Sequence, residues 1–135
     1  MTVPSLPPIM YRDLVLAALR EDLGRGADVT SSAIVPADLR AEARLRTRIE
    51  GRIAGLPVAV EAFRSLDETV ECDVLGEEGS DAGSDEILVL IRGRARSILA
   101  AERVALNFLG HMSGIATTTR DLVARVAGSG VAVVD

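Results

Sequence analysis

The stretch from Ser97 to Val126, "SILAAERVALNFLGHMSGIATTTRDLVARV", reads as one long helical region and sets the terms for everything around it. Ser97 stands where a cap belongs, and "GSG" at 128–130 ends the segment. Most of its residues are small or apolar, as close packing requires. Gly110 and the Ser113-Gly114 pair are expected to interrupt it, because such small residues mark kinks or close backbone approach. "VAVVD" follows, a short apolar strand with an acid at its end. A strand reached through a long helix and apolar on both faces suits the start of a parallel α/β barrel. A strand also needs neighbours to pair its backbone, and a complete-looking small α+β unit precedes this one. The expectation is that the chain is the front end of something longer. Its 135 residues fit one domain, whereas a complete barrel takes about 250.

Upstream, Leu14, Val15, Ala18, Leu19 and Leu23 recur at helical spacing after a proline-rich entry, and Gly24 and Gly26 stop that helix. "ADVTSSAIVPADLR" is turn and cap chemistry. "AEARLRTRIE" alternates strictly, with Ala41, Ala43, Leu45, Thr47 and Ile49 on one side and Glu42, Arg44, Arg46 and Arg48 on the other. That is a strand with one wet face. Its arginines suit a solvated face better than a cationic patch. "GRIAG" predicts a short strand ending at Gly55, and a helix starts near Pro57. "ETVECDVL" alternates again, "GEEGSDAGSDE" reads as a surface loop, and "ILVLIRG" as a buried strand closed by Gly93. These strands predict an α+β unit with a four-stranded sheet.

Composition removes several functions. Aromatic residues are Tyr11, Phe63 and Phe108 only, so the core is aliphatic and no stacking platform for single-stranded nucleic acid exists. The net charge of −5 argues against general polyanion binding. All 15 cationic side chains are arginine, so no Schiff-base lysine or lysyl attachment site is available. Cys72 is the one cysteine and reads as an inert thiol in a strand. The N-terminus lacks the pattern of a signal peptide and no segment is long and apolar enough to span a membrane. The expected location is cytoplasmic.

Little in the chain looks like catalytic machinery. Glu21 and Asp22 are helical neighbours whose carboxylates diverge, so their spacing makes no acid/base pair. No Cys/His cluster exists to hold zinc. Ser113 lacks a nucleophile elbow and a second histidine. His111 reads as a packed or surface histidine. Glu102 and Arg103 remain, a charged pair among Ala100, Ala101, Val104, Ala105 and Leu106. An ordinary helix surface explains them. So does an arginine placed to grip a carboxylate or phosphate with its planar fork. The residues alone leave both readings open.

"ERVALNFLGHMSGIATTTR" resembles the Glu-Arg-Thr-x-Leu-Asn…Ser-Gly-Ile-Ala-Thr signature of the quinolinate phosphoribosyltransferase family, also called nicotinate-nucleotide pyrophosphorylase (carboxylating). "LREDLGRGADVTS" resembles the family's early Glu-Asp-x-Gly-x-Gly-Asp-x-Thr-Ser segment, with Ala27 extra, and "EGRIAGLPVA" its Asp-Gly-x-x-Ala-Gly segment. The resemblance runs from about Leu14 to Asp135. It implies an α+β N-terminal domain over 1–112, and over 113–135 the start of a C-terminal barrel that in the family continues with Thr-Arg-Lys-Thr. It also implies the reaction of quinolinate with phosphoribosyl pyrophosphate to give nicotinate mononucleotide, pyrophosphate and CO2, in NAD biosynthesis. The ring nitrogen is the nucleophile there, so charge handling and orientation do most of the work.

By the same resemblance Arg103 crosses a dimer interface to bind a substrate carboxylate in the neighbouring barrel, and Glu102 orients it or pairs locally. Val104 stands where threonine is common. Asn107, Ser113 and Gly114 read as packing and helix-ending residues. Mg2+ accompanies phosphoribosyl pyrophosphate and is held by the family's barrel, not by this segment. The implied partners are the two small-molecule substrates and a second copy of the chain, with no nucleic acid and no membrane. The isolated chain is expected to be inactive. The alternatives are the molybdenum-transport-associated relative, which tends to carry Trp-Lys where this chain has Glu102-Arg103, and a non-catalytic dimerisation fragment.

Overall fold

The computed structural model describes residues 6–24 and 34–134. Gly26, Ala27, most of "ADVTSSAIV" and Asp135, to which several expectations attach, lie outside the described residues. A 3-10 turn at Pro8–Met10 leads into α1 (Arg12–Leu23). Then come β1 (Arg40–Arg46), β2 (Gly51–Arg52), α2 (Leu56–Leu66), β3 (Glu71–Val74), β4 (Asp81–Ala82), β5 (Ile87–Arg94) and α3 (Ala95–Val126).

The α+β class holds, but the sheet is not four-stranded. β1, β5 and β3 form an antiparallel three-stranded sheet with β5 at the centre, and β2 pairs with β4 in a separate two-stranded ribbon. β1 leaves the larger sheet at a register shift between Leu45 and Arg46. Beyond it the Thr47 side chain takes over: its hydroxyl donates to the Gly83 carbonyl and accepts from the Glu86 N–H. The chain then turns to pair Gly51 with Ala82. The expected inward position of Ile49 fails for the same reason, and it is 79% exposed.

One face of the larger sheet is apolar: Leu45 lies opposite Val89, and Ala43 and Cys72 flank Ile91. The other face is charged, and Arg44 and Arg92 on it are paired with carboxylates. Arg92 on the central strand donates to Glu42 of β1 at 3.0 Å and to Asp73 of β3 at 2.7 Å, and Arg44 donates to Glu42 at 3.2 Å. Cross-strand pairs of this kind fix register.

α2 lies in the middle of the molecule and buries Leu56, Val58, Ala59, Val60, Ala62 and Phe63. It packs on α3, on α1 and on the apolar side of the sheet. Gly55 opens it with φ +98°, a backbone conformation that side-chain-bearing residues rarely adopt. A Cβ there would also come within 2.8 Å of the Met112 sulfur. The first N–H groups of α2 are satisfied by Glu78, whose two carboxylate oxygens accept from Gly55 at 2.7 Å and Leu56 at 3.0 Å. A carboxylate at this end complements the helix dipole as well as the orphan donors. α1 is narrower in its contact: Val15 and Leu19 are buried while Leu14 points outward.

α3 runs unbroken for 32 residues, about 48 Å at 1.5 Å per residue. Neither Gly110 nor the Ser113-Gly114 pair interrupts it. Both glycines face outward, and a Cβ built on either would meet nothing within 4 Å. Ser97 does not cap the helix. Its hydroxyl instead donates to Asp67 at 2.7 Å, tying the start of α3 to the end of α2. Val131–Val134 form no strand; they are exposed, and among the described residues no strand pairs with them. The boundary expected at 112/113 falls inside α3.

Candidate functional site

Ile98, Ala101, Val104, Ala105 and Leu109 turn inward from α3 to the core. The 3.6-residue period therefore sends Arg103, Asn107 and His111 outward together, four residues apart along one face. They line a groove of about 740 Å³ between α3 and α1, with Ala18, Glu21, Asp22, Val104 and Phe108 forming the rest of the wall.

Arg103 donates from Nη1 to Oδ1 of Asp22 at 3.1 Å. The two side chains differ sharply in exposure, 75% for Arg103 and 23% for Asp22. Among the described residues, neither Nε nor Nη2 of Arg103 has a hydrogen-bond partner. This planar edge carries parallel N–H donors that match the two oxygens of a carboxylate or phosphate. Arg52 shows the same edge occupied: its Nε and Nη2 donate to the two oxygens of Asp81, each at 3.1 Å.

Glu102 is exposed and, among the described residues, bonds neither to Arg103 nor to any other side chain. The partner of Arg103 is Asp22, 81 residues away on α1, which its spacing to Glu21 gives no sign of. His111 lies in the same groove as Arg103. The arrangement can bind and orient an anion. Among the described residues, no group of three His, Cys, Asp or Glu is placed to hold a metal ion.

The second half of α3 is held by hydroxyls. Ser113 Oγ accepts from the Ala54 N–H and donates to the Ala54 carbonyl, both at 3.1 Å. Thr117 Oγ1 accepts from the Arg52 N–H at 2.8 Å and donates to the Ser113 carbonyl at 2.7 Å. Ser113 packs α3 against the segment after β2 and does not end the helix. Arg120 adds a charged tie to Asp81 at 2.8 Å. With Arg52 and Arg120 both donating to it, the Asp81 carboxyl is held down to about 2. The Asp67 carboxyl is likewise held to about 2 by the Thr69 hydroxyl, then by the Ser97 hydroxyl.

Comparison with known proteins gives one family. The quinolinate phosphoribosyl transferase N-terminal domain matches residues 28–113. A quinolinate phosphoribosyltransferase [decarboxylating] of Nicotiana tabacum is 34% identical over 87% of this chain and 33% of its own length. A probable nicotinate-nucleotide pyrophosphorylase [carboxylating] of Synechocystis is 39% identical over 90% of this chain and 41% of its own. In three dimensions, the crystal structure of NadC from Streptococcus pyogenes superposes with a TM-score of 0.87 at 35% identity, covering 92% of this chain and 44% of NadC. The chain thus spans between a third and just under half the length of these relatives.

Proposed function

The chain belongs to the quinolinate phosphoribosyl transferase family, and from that premise we propose that it supplies the substrate-gripping N-terminal part of an enzyme that makes nicotinate mononucleotide. The reaction joins the ring nitrogen of quinolinate to the ribosyl carbon of phosphoribosyl pyrophosphate. Pyrophosphate leaves, and a carboxylate departs as CO2. Arg103 grips a quinolinate carboxylate through its Nε–Nη2 edge. It acts in the barrel of a second copy of the chain, so the working unit is a homodimer or a higher assembly. Glu102, beside it in sequence, has the supporting place. The compartment is the cytoplasm; among the described residues no helix is long and apolar enough to cross a membrane.

The observation that carries this reading is the unoccupied donor edge of Arg103 on an exposed helix face, inside the segment "ERVALNFLGHMSGIAT". Binding that fixes the substrate's orientation lowers the barrier without a protein nucleophile. The Mg2+ that accompanies phosphoribosyl pyrophosphate in the family would be held by the barrel and not by this segment.

The test is kinetic. In the complete polypeptide that bears residues 1–135, Arg103→Ala raises the quinolinate KM or abolishes turnover while the dimer persists on gel filtration. Wild-type kinetics from that variant would sink the assignment. The 135-residue chain alone is expected to release no pyrophosphate in a quinolinate-dependent assay.

A further inference from the structure

We propose that Asp22 is a positioning residue for Arg103: it holds the Nη1 corner of the guanidinium so that the Nε–Nη2 edge stays open in a fixed direction for the substrate carboxylate. This rests on the reading of Arg103 as the quinolinate grip.

The asymmetry in exposure assigns the roles. Asp22 is the anchored partner at 23% exposure, and Arg103 the reaching one at 75%. α1, which carries Asp22, is fixed by buried Val15 and Leu19 and by the Arg12–Glu61 ion pair to α2 at 2.7 Å. An arginine left to itself on a helix surface samples many rotamers, and ordering them on binding weakens affinity. A hydrogen bond to a fixed carboxylate removes much of that disorder beforehand. It uses one of the five guanidinium donors and leaves the bidentate edge intact, the edge with which Arg52 holds Asp81.

Asp22 also places a negative charge beside a dianionic substrate, which by itself weakens binding. Positioning and repulsion therefore predict opposite signs for its neutralisation, so one substitution separates them. In the complete polypeptide, Asp22→Asn is expected to raise the quinolinate KM roughly two- to fivefold, the upper part of the range for losing one exposed charge-assisted contact. The phosphoribosyl pyrophosphate KM stays unchanged, and Asp22→Glu, which keeps the charged carboxylate, recovers much of the loss. A quinolinate KM that is unchanged or lower in Asp22→Asn, while Arg103→Ala still raises it, overturns the positioning role and leaves the grip standing. Wild-type kinetics from Arg103→Ala fails the grip itself, and this proposal with it.

A second measurement does not depend on turnover. In the chain labelled with isotopic arginine, NMR exchange of the Arg103 guanidinium should show Cζ–Nη1 rotation at least about threefold faster in Asp22→Ala than in wild type, since the bond that slows it is gone. Equal rotation in the two proteins shows that Asp22 does not hold Arg103, and also overturns the proposal.

Discussion

The hydroxyl of Ser113 makes both a donor and an acceptor bond to the backbone of one residue, Ala54, across 59 positions of sequence. It fastens the middle of α3 to the segment between β2 and α2, where neither backbone group has a strand partner. Ser113→Ala leaves a part-buried N–H and carbonyl without protein partners. The expected loss is about 1–3 kcal/mol of stability, read from urea unfolding at neutral pH. Thr117→Val removes the neighbouring bond to Arg52 and costs about 1 kcal/mol. Because Thr117 also donates to the Ser113 carbonyl, the double variant should lose less than the sum. Strict additivity would show that the two hydroxyls act independently.

The glycines of this region separate by environment. Gly55→Ala forces a side chain onto φ +98° and into the Met112 sulfur, and should destabilise by roughly 1–3 kcal/mol. Gly110→Ala and Gly114→Ala meet open space within a continuous helix. Each should stabilise the chain by about 0.5–1 kcal/mol, the helix-propensity difference. Thermal melts of the three variants check both signs at once. A drop in Tm for Gly110→Ala would mean that the outer face of α3 is covered in solution.

Much of the fold is legible because periodicity carries it: the stripe of Val15 and Leu19, the alternation around Leu45 and Cys72, and the apolar run of β5 each match their element. The four-stranded sheet was misread because β4 is two residues long, and only buried Ala82 marks it inside a polar loop. Gly110 and Gly114 carry the composition of breaks, yet a helix tied down by Ser113 and Thr117 tolerates them. Val131–Val134 carry a strand's composition, but composition supplies no pairing partner. At the site, Arg103 stood out through its apolar surroundings and its motif. Asp22 did not, since it lies 81 residues away and no local pattern joins two helices packed side by side.

Acid should loosen two ties that hold α3, at Asp81 and at Asp67. Asp81 binds Arg52 and Arg120, and its carboxyl lies near 2 against an ordinary 3.8. Between those values the unfolded chain binds the proton more readily than the folded one, so stability falls as pH drops. This contribution is complete above about pH 4 and gone once pH passes below the folded value. Asp67, held by Thr69 and Ser97, follows the same sign and window. Tm measured from pH 6 to 2 should fall less steeply in Asp81→Asn than in wild type. Parallel curves would mean that the Arg52–Asp81–Arg120 cluster is not formed in solution.

Arg103→Lys distinguishes a grip that needs charge from one that needs shape. Lysine keeps the cation but offers a compact ammonium in place of a planar fork. Its shorter reach also weakens the contact with Asp22. If a carboxylate is held by Nε and Nη2 together, as Asp81 is by Arg52, Arg103→Lys should raise the quinolinate KM almost as far as Arg103→Ala, by roughly tenfold or more. If Arg103 acts only through its charge, lysine should substitute within about twofold at low salt and lose ground as ionic strength rises. Steady-state kinetics at two salt concentrations in the complete polypeptide decide between them. The structure favours the first outcome: the Nη1 corner is already engaged, and what remains open is the edge that only arginine has.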